Sequence, residues 1–181
     1  MRALRHLVGG LLLQAMLIGA ALAQTAPAHI AAHIAQARLA GGGTFSWFTF
    51  RLYEAQLWVG DKGYQGPVAP FALDLRYERS LDGRRIAEAS VDQMQKIAVG
   101  SAAQRGAWLE RMRAIFPDVA EGNHLTGIFL PAGAVRFYLD GKFIAAVDDP
   151  DFARAFAAIW LDARTTAPVL RAALLKDAAP R

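Results

Sequence analysis

The sequence predicts an α+β domain, an antiparallel sheet with helices packed on one face. Three observations predict it. Residues 45–59, 71–79 and 123–147 alternate with period two and are rich in aromatic and β-branched side chains. Residues 84–99 and 102–116 carry apolar side chains at helical spacing, and a further helical stripe runs from Phe152 to Trp160. Asp140-Gly141 separates two β-rich runs, a strong two-residue hairpin signal.

The chain of 181 residues opens on a basic head, Met1-Arg2-Ala3-Leu4-Arg5-His6. An uncharged apolar run from Leu7 to Leu22 and the small-residue exit Ala21-Leu22-Ala23 follow. Together they read as a secretory signal peptide over residues 1–23, with Gln24 as the new N-terminus and a periplasmic or secreted product. The competing reading is a retained anchor, but the run is short for a full span and holds Gly9, Gly10, Gln14 and Gly19. No later apolar span occurs, so no stable membrane anchor is expected after cleavage.

Residues 24–38 read as a flexible, alanine-rich lead-in. Ala40-Gly41-Gly42-Gly43-Thr44 reads as a glycine break. Residues 45–59 then read as one long strand with a bulge or bend near Arg51. Gly63 and Gly66-Pro67 mark a loop. Phe71, Leu73, Leu75 and Tyr77 oppose Asp74, Arg76 and Glu78, the pattern of a half-exposed strand. Leu81-Asp82-Gly83 turns the chain into two helices, the second stopped by Pro117. Residues 123–147 give three antiparallel strands in a row. Asp149 caps the next helix, with Pro150 in its first turn. Thr165 or Thr166 caps a last short helix through Lys176, and residues 177–181 form a frayed tail.

Composition narrows the chemistry. There is no cysteine, so disulfides, thiol catalysis and thiolate metal sites are excluded. The formal charge of +4 falls to +2 once Arg2 and Arg5 leave with the signal, and acids are interspersed among the arginines. No basic face is concentrated enough to predict nucleic-acid binding. No dinucleotide fingerprint, phosphate loop, zinc-protease motif or nucleophile elbow occurs. His29 and His33 are four apart but lack a partner acid in their segment, so no metal is expected; His124 reads as a surface histidine at a strand start. No cofactor and no catalytic residue are indicated.

Several stretches carry a resemblance. They are Gly41-Gly42-Gly43 before the aromatic strand, Phe50-Arg51-Leu52-Tyr53-Glu54-Ala55-Gln56-Leu57-Trp58-Val59, Leu73-Asp74-Leu75-Arg76-Tyr77 and Ser90-Val91-Asp92-Gln93-Met94. Ile115-Phe116-Pro117-Asp118-Val119 and Phe152 through Ile159-Trp160-Leu161-Asp162 complete the set. In this order and spacing the chain resembles the chalcone isomerase-like superfamily, in particular its exported bacterial branch, over residues 39–176. The resemblance implies an open-faced β-sandwich: a large antiparallel sheet, helices on one side and a cleft between them.

Plant chalcone isomerases hold a phenolate in that cleft with an arginine and several hydroxyl and amide groups. The matched positions here are Phe45 for the arginine, Tyr53 for a threonine, Ile86 for a tyrosine, Gln93 for the asparagine and Ala153 for the last hydroxyl. An arginine replaced by phenylalanine no longer supplies charge or hydrogen bonds. The resemblance therefore implies a protein without cyclising activity. The superfamily's fatty-acid-binding branch places a tyrosine where Tyr53 falls, beside an arginine. This implies a fatty acid or similar small apolar acid as ligand, with Arg51 or Arg76 as the cation if either points inward. Two readings stand for Tyr53, ligand contact or core tyrosine with a satisfied hydroxyl. Three functions follow: binding of an apolar acid; a structural or partner-binding protein with a filled cleft; or an enzyme of unknown substrate using the same cleft.

Overall fold

A computed structural model describes residues 24–180; the expected signal peptide, residues 1–23, lies outside them. Six antiparallel strands form one sheet in sequential order: β1 (Arg38–Trp47), β2 (Phe50–Val59), β3 (Phe71–Tyr77), β4 (His124–Phe129), β5 (Ala134–Leu139) and β6 (Lys142–Asp148). The helices are α1 (Ala28–Ala31), α2 (Gly83–Lys96), α3 (Ala102–Ile115), α4 (Pro150–Leu161) and α5 (Pro168–Leu174). Helices α2 to α5 gather over one face of the sheet, so the expected α+β architecture holds.

Capping residues set the helix starts. Asp82 accepts from the Arg84 N–H to open α2, and Ser101 with Gln104 forms a reciprocal capping box on α3. Asp149 opens α4 by accepting from the N–H groups of Asp151 and Phe152. Its other oxygen accepts from Trp108 Nε1 at 3.0 Å, which ties α3 to α4. The main core is packed between the sheet and the helices, with Leu57, Leu73, Val135 and Phe137 facing Met94, Met112, Phe152 and Phe156.

The structure corrects several expectations. Residues 45–59 are not one strand: the chain reverses at Phe48-Thr49, with Phe48 at φ 53°, and the glycine run lies inside β1. Glycine is needed there because α5 presses its end against β1. A Cβ on Gly41 would stand 2.1 Å from the Ala173 carbonyl oxygen. The expected bulge does occur, since Phe45 pairs with Tyr53 and Ser46 with Arg51, leaving Leu52 as the extra residue.

The lead-in is packed instead of loose. Ile30 and Ile34 are buried against Trp58, Ala72, Ile128 and Tyr138, the residues of opposite parity to the main core. This cover on the outer face makes β3 buried on both sides, not half-exposed, and leaves Asp74 only 3% exposed. The tail is also held. Arg38 donates to the carbonyls of Asp177 and Ala179, and Asp177 N–H donates to Ala40. Finally, neither threonine caps α5. Ala167 occupies that position, while the Thr165 hydroxyl is buried and donates to the Ile159 carbonyl.

Candidate ligand-binding cleft

Helices α2 and α4 do not close fully onto β1–β3. A cavity of about 310 Å³ remains between them, at the lower end of the range of about 300–1,000 Å³ that holds small molecules. Its sheet wall is Phe45, Trp47, Leu52, Tyr53, Leu75 and Tyr77. Ile86, Ser90 and Gln93 of α2 and Phe156, Ile159 and Trp160 of α4 form the opposite wall. Leu52 and Tyr53 are consecutive yet both reach the cavity, which strict alternation forbids and the bulge permits.

The lining is largely apolar and its polar groups are few. Trp160 Nε1 donates to the Tyr53 hydroxyl at 3.0 Å. The Tyr53 proton has no acceptor among the described residues, and the ring stacks on Phe45 at 5.2 Å. Tyr77 meets Tyr53 edge-on at 5.9 Å, is 2% exposed, and its hydroxyl has no partner among the described residues. Burial pushes both phenols well above their ordinary value, more than the Trp160 hydrogen bond lowers that of Tyr53. Both are therefore neutral donors at physiological pH. Three further polar groups are already engaged: Ser90 donates to the Ile86 carbonyl at 2.8 Å, and Thr166 donates to Gln93 Oε1.

Of the residues singled out in the sequence, Phe45, Tyr53, Ile86 and Gln93 are brought together in this cleft. Arg51 and Arg76 are not. Arg76 occupies the outward parity of β3, in register with Glu54, and pairs with it at 2.8 Å. Arg51 bonds Glu78 at 2.8 Å and Glu54 at 3.5 Å. The one charged side chain lining the cleft among the described residues is Arg85 of α2. Ala153 faces elsewhere, into a second cavity of about 290 Å³ lined by Tyr64, Phe71, Phe129 and Leu161.

Tyr77, Trp160 and Arg85 were missed by sequence reasoning. The first two lay on recognised apolar stripes and read as core; nothing in the sequence sets Arg85 apart from the adjacent Arg84.

The histidines lie on the opposite face of the sheet. His124 Nδ1 pairs with Asp74 at 2.7 Å, and Thr126 donates to the other Asp74 oxygen at 2.7 Å. His29 Nε2 bonds Thr126 Oγ1 at 3.0 Å, and His33 Nε2 bonds the Tyr138 hydroxyl at 2.8 Å. Among the described residues no cluster of three or more such groups is arranged to hold a metal.

Comparison with known proteins agrees with this architecture. The chalcone isomerase-like family profile matches residues 21–176. The chain belongs to the chalcone isomerase-like family. It is 28% identical over 135 residues to an uncharacterised protein of Haemophilus influenzae, a match covering 75% of this chain and 66% of that protein. The structure is similar to that of the Arabidopsis thaliana fatty-acid binding protein AtFAP1. The TM-score is 0.62 at 12% identity, covering 80% of this chain and 89% of that one. At that identity the likeness is one of fold.

Proposed function

We propose that the protein binds a small apolar carboxylic acid, of the fatty-acid type, in the cleft between β1–β3 and α2/α4, without catalysing a reaction on it. The observation that carries this reading is the pair of phenols, half-buried Tyr53 and buried Tyr77, on the wall of an apolar cavity, neither with an acceptor for its proton among the described residues. A phenol proton that faces an apolar cavity gains a charged acceptor when a carboxylate oxygen enters. The fatty-acid binding function of AtFAP1, a protein of the same fold, supports the choice of ligand. The basic, apolar and small-residue pattern of Met1–Ala23 supports action outside the cytoplasm.

Tyr53→Phe tests the reading. A hydrogen bond to a charged acceptor contributes about 1.5–3 kcal/mol, so affinity for a long-chain acid falls about tenfold or more. Affinity for the matching methyl ester changes much less. The substitution also leaves the Trp160 N–H unpaired, which lowers stability. Comparing acid with ester in the same variant cancels that effect. Equal losses for acid and ester show that Tyr53 does not read the head group, and titration calorimetry measures both.

A further inference from the structure

The turn between β1 and β2 leaves three aromatic rings in water within four residues: Trp47 is 59% exposed, Phe48 89% and Phe50 59%. Water-exposed apolar groups concentrated this way mark a contact surface. Two exposed cations accompany them. Arg79 lies over the Phe50 ring at 5.1 Å, and Arg85 lines the cleft. Neither has a carboxylate partner among the described residues, while Glu54 and Glu78 are occupied by Arg51 and Arg76.

From these observations we infer that the β1–β2 hairpin tip docks reversibly on an anionic lipid surface, inserting Trp47, Phe48 and Phe50 at the head-group boundary. The chemistry fits each part. Tryptophan and phenylalanine favour the boundary between head groups and acyl chains, and unpaired arginines beside them are attracted to anionic lipid. A four-residue tip supplies far less than the roughly 800 Å² per partner of a standard protein interface, whereas shallow insertion needs only a few rings. The tip is also continuous with the cleft, because Trp47 both projects into water and lines the cavity. Docking thus sets the cleft mouth against the bilayer, where apolar acids are dissolved. Only this last consequence rests on the proposed ligand.

The test needs no ligand. Trp58, Trp108 and Trp160 are buried and Trp47 is not, so a change in emission on adding vesicles reports the hairpin. The mature chain is mixed with vesicles of phosphatidylcholine alone, or with equal parts of phosphatidylglycerol. Emission shifts to the blue and the protein co-sediments, more strongly with the anionic vesicles. Phe48→Glu lowers vesicle affinity about tenfold or more and, lying at a solvent-exposed turn, leaves the circular dichroism unchanged. Arg79→Glu weakens binding to anionic vesicles and leaves neutral ones unaffected. No vesicle binding overturns the proposal, as does binding that survives Phe48→Glu. Concentration-dependent dimerisation abolished by Phe48→Glu overturns it too, assigning the tip to a second copy.

Discussion

Asp74 is buried on the outer side of β3, where an unpaired carboxylate would be strongly unfavourable. Thr126 and His124 satisfy it. The hydrogen bond that Asp74 accepts from His124 raises the histidine's pKa, outweighing partial burial. A histidine raised on folding adds stability that is complete below its ordinary value of about 6.5 and vanishes as pH rises through the folded value. The melting temperature of the wild type should exceed that of His124→Gln by more at about pH 5.5 than at about pH 8; a pH-independent gap would mean the pair is not ionic. Burial lowers His29, so its contribution has the opposite sign and is lost as pH falls. None of this was legible in the sequence. Asp74 sits on the polar parity of its strand, and only the fold reveals that α1 covers that side. Tyr53 was legible through the family likeness. Tyr77 was not, since an inward tyrosine reads as core until an empty cavity is found beside it.

At the scale of elements, the close contact between β1 and α5 gives a sharp test. Gly41→Ala places a methyl 2.1 Å from the Ala173 carbonyl and 2.7 Å from that of Leu174, both backbone atoms that cannot yield without moving α5. Destabilisation of about 3 kcal/mol is expected, the upper part of the range for overpacking. Gly106→Ala is the contrasting case: the position is exposed in α3 with nothing within 4 Å, so a gain of about 0.5–1 kcal/mol is expected. Urea denaturation measures both. Sequence periodicity located α2, α3, α4 and the strands β4, β5 and β6, because each has a capping residue or turn signal at its boundary. It failed at β1 and β2, where the glycines mark a helix crossing instead of a turn and the real turn is built from Phe48 and Thr49.

At the scale of the molecule, two expectations follow, one from the cleft and one from the leader-like pattern of Met1–Ala23. The resemblance matches Phe45, Tyr53, Ile86 and Gln93 to the positions where plant chalcone isomerases carry phenolate-binding groups; all four line the cleft, and Gln93 is bonded to Thr166. The protein should not speed the loss of chalcone absorbance above the solution rate; a saturable acceleration removed by substitutions in the cleft would show otherwise. The leader pattern predicts that protein recovered from the periplasm begins at Gln24, which N-terminal sequencing checks. Intact Met1 in the membrane fraction would assign an anchor instead.

The seat of α1 on the outer face has a consequence for biogenesis. His29 bonds a residue 97 positions downstream and His33 one 105 positions downstream. During synthesis this segment therefore precedes its partners on β4 and β5 by more than half of the chain. Until those strands are made, Ile30, Ile34 and Trp58 have no complete surface to pack on. Contacts so distant in sequence are slow to close, and an uncovered sheet face invites aggregation while it waits. This early segment is thus among the last to find its place, an interval in which a holding chaperone has most to protect.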